Sequence, residues 1–505
     1  MSRRLVALPP VGGTPAGGTP AGSTPSARRR VRRRRRRLSP GRRVVAAFAA
    51  LVAVVLAVTG VAASLTPPYG DDSPWMSSRV DDVRQAPTAV GWSVDLARAM
   101  LPGVPTRCAG FGVSSSSGSL VLLVGQPPSL GSNAGCSTTT IFQVRSTVAL
   151  LDTATGVVRW STNLATAFDA AGGSAAVGST SLSASAGRAV VEFTLGSRFL
   201  LTSLDLESGT AAGRLDLGAS NVGVTALFEG GLALFGGSTS REGSTAWTLV
   251  DVRHVDRPIW RGVLADQNTP VLTPVAAFAV LSGRSVRIDG TSGRVASFGG
   301  GAVPLDSASS APDGSFVTTE LVNAGPVLTA WSADGTSLWN RGGVGSYIGS
   351  SRDCTLVSLL GTTDMSCLDS RTGRTRWTAD VGTATRASGV PGQTDDSVYA
   401  YRSRGDRSSV LVLDGATGAA RFTLDLAPLT YIDASARTMA YRVTYTASGT
   451  ATDVAGFDTR SGVTLWDRPA FSGGDTELWG GHLVHLSGSG RTEQLTNRAG
   501  PVLGG

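Results

Sequence analysis

One short unit recurs along this 505-residue chain, and it limits the possible folds more than any other feature. Its clearest copy runs Leu151-Asp152-Thr153-Ala154-Thr155-Gly156-Val157-Val158-Arg159-Trp160. The same spacing returns at Leu368, Asp369, Gly373 and Trp377, and at Phe457, Asp458, Gly462 and Trp466. An apolar residue precedes Asp, Gly follows four positions later, and Trp four after that. Leu413-Asp414 with Gly418 and Phe422 substitutes Phe for Trp. Asp205 with Gly209 and Asp289 with Gly293 keep the turn and lose the Trp. Asp251 to Trp260 is one residue long, and Ser332 to Trp339 is one short. The copies begin at 152, 205, 251, 289, 332, 369, 414 and 458, which are intervals of 37–53 residues. A four-stranded propeller blade has a period of about 40–50 residues.

Each position has a mechanical reason. Asp accepts hydrogen bonds from backbone N–H groups two or three residues on. Gly supplies the positive φ that closes a hairpin. A Trp once per unit has the area to fill the wedge between neighbouring sheets and an N–H to aim at a carbonyl. β-type runs such as Leu120–Val124 and Val398–Tyr401 precede the turns, and long helical periodicity is absent between 90 and 500. The segment Gly91-Trp92-Ser93-Val94-Asp95-Leu96 looks like the end of a unit that lacks its beginning, while Leu483–Leu486 and Arg491–Leu495 look like a beginning without an end. The first strand therefore completes the last blade and leaves no free edge. Eight turns plus this composite make nine, and one weak copy, around Asp251 or Asp289, is read as incomplete. The expectation is an all-β protein, a β-propeller of eight blades with seven as the next count, over residues 90–497.

Charge is unevenly placed. The formal net charge of +8 suggests a nucleic-acid binder, but residues 1–43 hold 13 arginines and no acidic residue, leaving 32 basic against 37 acidic residues in the rest. The arginine block has neither the aromatics nor the folded platform that nucleic-acid binding needs, so that partner is excluded. Residues 11–26, near-repeats of Gly-Thr-Pro-Ala, have nothing to bury, and 1–43 reads as a disordered tail. Val44–Leu65 is uncharged and almost wholly Val, Ala and Leu, long enough for one transmembrane helix, with Pro67 and Pro68 after it. Arginine lies before the span and Asp71, Asp72, Asp81 and Asp82 after it. The positive-inside rule then keeps the tail cytoplasmic, against anionic lipid, and exports the body. Val61-Ala62-Ala63 can also be read as a signal-peptide cleavage site, although the long span and tail favour an uncleaved signal-anchor in a plasma membrane. Residues 66–89 form a linker.

Four cysteines suit an exported body. The expected disulfides are Cys108 with Cys136, around a Ser/Gly/Pro-rich stretch, and Cys354 with Cys367 on adjacent strands, from three possible connectivities. Metal binding is disfavoured, because no Cys-x-x-Cys occurs and the chain has three histidines. His482 and His485 face opposite sides of a strand, and His254 lies beside a turn. Gly343-Val344-Gly345 with Gly349 lacks the spacing of a phosphate cradle and reads as a surface loop.

The apolar–Asp-x-x-x-Gly-x-x-x-Trp unit, best at 151–160, 368–377 and 457–466, resembles the pyrroloquinoline-quinone (PQQ)-like propeller repeat. That repeat builds the propellers of quinoprotein alcohol dehydrogenases and of a lipoprotein that assists outer-membrane protein assembly. The absence of lysine and the heavy use of Arg, Ala and Gly suggest a GC-rich genome, so the resemblance implies a membrane-anchored bacterial, actinobacterial, member. Dehydrogenases of the family hold the quinone with calcium, and many place a disulfide of adjacent cysteines against it. No adjacent cysteine pair exists here. The resemblance carries over the repeat and no catalytic residue, so neither an enzyme nor a cofactor is expected. The implied function is a non-catalytic binding or assembly scaffold whose loops engage an envelope protein or polymer. The alternative is a PQQ-dependent oxidoreductase facing the outside of the membrane.

Overall fold

In the computed structural model the strands fall into four-stranded antiparallel sheets, nine of them among the described residues. Those residues are 83–496, apart from 128–134, 169–174, 220–223, 239–242, 266–268, 301–302, 312, 324, 352–353, 383, 389–396, 405–406, 437, 446, 448–450, 470–473 and 488–490. Eight sheets are consecutive meanders: blade 1 (110–163), blade 2 (175–219), blade 3 (224–265), blade 4 (271–297), blade 5 (309–342), blade 6 (347–380), blade 7 (384–426) and blade 8 (430–469). Blade 9 takes three strands from 474–496 and its fourth from Ala89–Asp95, which pairs antiparallel with Arg491–Thr496. The structure therefore corrects the expected count of eight to nine. The weak copies at Asp251 and Asp289 each belong to a complete sheet: Asp289 keeps its Gly-closed turn without a Trp, Asp251 carries one extra residue, and the apolar runs of both blades' strands persist. In blade 4 the first strand is only Val271–Leu272 and the fourth only Val295–Ser297, which thinned its signal.

The predicted transmembrane helix at 44–65 and the tail at 1–43 lie outside the described residues. Among the described residues no helix is long and apolar enough to cross a membrane. Those residues include three short α-helices, at Leu96–Met100, Thr138–Arg145 and Leu164–Ala167.

The core is a series of apolar layers between neighbouring sheets. Leu122, Leu150 and Trp160 of blade 1 meet Val191 and Leu204 of blade 2, and the same arrangement runs to the layer between blades 9 and 1, where Trp92 and Trp479 meet Val121 and Leu151. The repeat makes these joints. Each well-formed Asp turn is closed by its Gly, whose N–H reaches the Asp carbonyl at 2.7 Å for Gly156, 2.8 Å for Gly373 and 2.9 Å for Gly462. The Trp of one blade docks on the turn of the next. The indole N–H groups of Trp92, Trp160, Trp339 and Trp377 donate to the carbonyls of Thr153, Leu206, Ser370 and Gly415 at 2.7–3.0 Å. A Cβ on Gly156, Gly209, Gly373 or Gly418 would lie 2.6–2.7 Å from those rings, so Gly is required by contact as well as by φ near +70°.

The last joint is improvised. Blade 9 has no Asp turn between its third and fourth strands, because that is where the ring closes. Val83 replaces it: the Trp466 indole N–H donates to the Val83 carbonyl at 2.6 Å, Arg84 pairs with Asp458 at 2.9 Å, and Arg468 donates to the Pro87 carbonyl at 2.7 Å.

Candidate binding site

The residues singled out from the sequence sit at the joints and do not converge on a catalytic group. Asp152, Gly156, Trp160, Asp369, Gly373, Trp377, Asp414, Gly418, Asp458, Gly462 and Trp466 all lie at or beside the third turn of a blade. Cys108 is bonded to Cys136 and Cys354 to Cys367. The first bond ties the turn at Thr106–Cys108 to the chain entering the helix Thr138–Arg145, and the second links the second and third strands of blade 6. His482 contacts Gln494 through Nδ1 at 3.1 Å. The glycine segment needs correcting: Val344 is buried, and Gly349 lies on the first strand of blade 6, where a Cβ would overlap the Ala387 carbonyl of blade 7. Gly there permits two inner strands to touch, and the segment is not merely a surface loop.

An arginine not foreseen completes the turn. It stands seven residues after Asp, immediately before the aromatic: Arg159 to Asp152 at 2.7 Å, Arg376 to Asp369 at 3.2 Å and Arg421 to Asp414 at 2.8 Å. The sequence carried this signal in Arg159-Trp160, Arg376-Trp377 and Arg421-Phe422. Such part-exposed pairs stabilise by about 0–1 kcal/mol each.

Two features lie on the face opposite the Asp turns. The first is apolar. In blade 5 the hairpin of the second and third strands, Phe316–Val322 and Gly325–Trp331, extends past its neighbours: Leu321 is 83% exposed and Val322 40%. The first strand, Ser309–Ser310, pairs only with Phe316 and Val317, and the Ser307 hydroxyl caps Thr319 by accepting from its N–H and donating to its carbonyl. The inner edge beyond Thr319 is left open. Leu360, 53% exposed on the corresponding turn of blade 6, comes within 3.5 Å of a Cβ built on Gly325.

The second is polar and lies on blades 7 and 8. First strands of blades 1, 2, 6, 7 and 8 each break register once, and at blade 8 the bulged residue is Asp433. Bulges re-aim side chains. The Tyr445 hydroxyl donates to the Asp433 carboxylate. Burial pushes Asp433 above the ordinary carboxylate range, partly offset by that bond. Burial, then Asp433 itself, pushes the Tyr445 phenol up. The half-exposed Tyr431 ring lies 6.2 Å from that of Tyr445, and the Arg386 guanidinium is 5.9 Å from the Tyr401 ring. Leu429 holds φ +59°, a strained conformation for a branched side chain, and its carbonyl accepts the Tyr445 N–H at 3.0 Å. Together these groups offer stacking surfaces and hydrogen-bonding groups.

The molecule is thus a closed propeller held by Asp turns and docked tryptophans, with an exposed apolar hairpin and an aromatic–carboxylate group on the face opposite those turns. A family model described as outer membrane protein assembly factor BamB matches residues 324–489, about a third of the chain, from the exposed hairpin of blade 5 to blade 9. The repeat there is of the PQQ-like kind. Among solved structures, BamB from Moraxella catarrhalis aligns at 13% identity over 81% of this chain and 99% of its own, with a TM-score of 0.36. Quinohemoprotein alcohol dehydrogenase from Comamonas testosteroni aligns at 11% identity over 84% and 80%, with a TM-score of 0.37. The propeller domain of the Trilobed protease from Pyrococcus furiosus aligns at 10% identity over 72% and 95%, with a TM-score of 0.36. Values this low transfer neither ligand nor activity. No curated protein matches the chain.

Among the described residues no three His, Cys, Asp or Glu side chains are grouped to hold a metal ion, and the one carboxylate of the blade 8 bulge is engaged by Tyr445.

Proposed function

We propose that the chain is a membrane-tethered, extracytoplasmic propeller that binds an envelope protein or polymer and performs no chemistry of its own. In this reading 1–43 is a cytoplasmic tail and 44–65 a single-pass anchor in a bacterial plasma membrane; the linker expected over 66–89 ends where Val83–Pro87 dock on blade 8, and the propeller follows to 497. The observation that carries it is the apolar hairpin of blade 5. Leu321, Val322 and Leu360 form an exposed apolar patch beside an open strand edge, and such patches on soluble folds mark contact surfaces. A family model described as an outer membrane protein assembly factor matches residues 324–489, which supports the reading.

A photo-crosslinking residue at Leu321 in intact cells is expected to give a discrete adduct that Leu360→Asp weakens. The same residue at Val463, on the turn face, is expected to give none. Equal labelling from both positions would reject the assignment. Reconstitution with the quinone and calcium followed by dye reduction with alcohols and sugars separates the oxidoreductase reading: robust turnover would reject the scaffold.

A further inference from the structure

The joint between blades 3 and 4 has an indole, Trp260, that packs against the apolar layer but does not dock on the next turn. Trp260 pairs with Leu249, the register that Trp160, Trp377 and Trp466 hold opposite Leu150, Cys367 and Gly456. Its ring nevertheless lies along its own strand, where a Cβ on Gly262 would overlap it. The extra residue in the Asp251 turn is the cause. It sets Ile259 against Gly293, with the Ile259 N–H bonded to the Leu249 carbonyl at 2.8 Å. At four other joints the carbonyl of the residue after the turn Asp accepts an indole N–H, from Trp92, Trp160, Trp339 or Trp377. Here that residue is Gly290, and its carbonyl accepts no hydrogen bond from any described residue.

A cleft of about 410 Å³ opens at this place. Ile259 and Val275 give it apolar walls, the Gly290 backbone contributes to the lining, and Arg253, His254 and Arg257 stand around it with Asp251. The arginines are loosely held: Arg253 is 3.9 Å from Asp251 and Arg257 is 3.8 Å from Asp256, with side chains 48% and 81% exposed. Both guanidiniums can still form charge-assisted bonds to carboxylates.

We propose that this joint receives an indole side chain from an acidic segment of a partner protein. The ring packs against Ile259 and Val275, its N–H donates to the Gly290 carbonyl, and flanking carboxylates meet Arg253 and Arg257. The contact repeats between molecules what four of the other joints do within one. It rests on the reading of the propeller as a binding scaffold and adds to it a place and a partner chemistry.

The test uses the full-length chain in detergent and a fluorescein-labelled peptide, Asp-Glu-Gly-Trp-Gly-Glu-Asp, followed by anisotropy. The peptide is expected to bind saturably, and its Trp-to-Ala counterpart at least about tenfold more weakly. Val275→Trp, which supplies an indole from the protein's own surface, is expected to block the peptide by a similar factor. Thr291→Trp at the same cleft serves if that variant fails to fold. Arg257→Glu is expected to weaken binding and flatten its salt dependence. Equal binding of the two peptides, no binding of either, or wild-type binding by a folded slot-filling variant would overturn the proposal. In the last case a persisting Leu321 crosslink would leave the scaffold reading standing while the cleft falls.

Discussion

Gly373 shows how much one missing methyl group matters in this fold. Its φ of +66° disfavours any side chain, and a Cβ would lie 2.7 Å from the Trp339 ring of the preceding blade. Gly373→Val is therefore expected to cost about 2 kcal/mol or more, from backbone strain together with the displaced indole. Thermal or urea melts give the value, and an unchanged midpoint would contradict the docked turn. The chemistry of Asp, Gly and Trp was legible in the sequence because it is written within nine consecutive residues. The pair Asp433 and Tyr445 was not, since a register break twelve residues away brings them together and no local spacing announces it.

At the scale of the turn, carboxylates give the fold its pH dependence. In Asp289 the N–H and hydroxyl of Ser292 hold the carboxyl down to about 2. In Asp458 burial works in the opposite direction, but the N–H of Ser461 and the Arg84 guanidinium outweigh it and again leave a value of about 2. An unfolded Asp titrates near 3.9, so this stability is present above about pH 4 and lost as the pH falls toward 2. Asp458→Asn is expected to flatten melting temperature against pH in that window, and an unaltered slope would argue against the turn. Asp453 acts in the other sense: burial and the neighbouring Asp467 push it up to about 6, so its contribution declines as the pH rises from about 4 to about 6. The turn also explains the blade count. At Asp251 the unit is one residue longer and at Asp289 the Trp is absent, yet both blades keep four strands held by apolar layers, so discounting a weak copy gives one blade too few.

Across the whole molecule the ring depends on thirteen residues at its start. Val83–Pro87 replace the absent turn of blade 9, and Ala89–Asp95 supply its outer strand. Removing 83–95 is expected to leave Arg491–Thr496 as an open edge and Trp466 undocked, giving self-association or a larger radius in small-angle scattering. A monomer of unchanged size and melting temperature would refute the closure. The seam also sets an order of events. Ser93 and Glu493 meet across the closing pair although they are 400 residues apart in the chain. Ala89–Asp95 must wait, unpaired, for Arg491–Thr496, and the circle cannot exist until about 400 further residues have emerged. Any chaperone that attends this protein has its longest task at Ala89–Asp95, and a chain truncated before Arg491 leaves that strand without its partner.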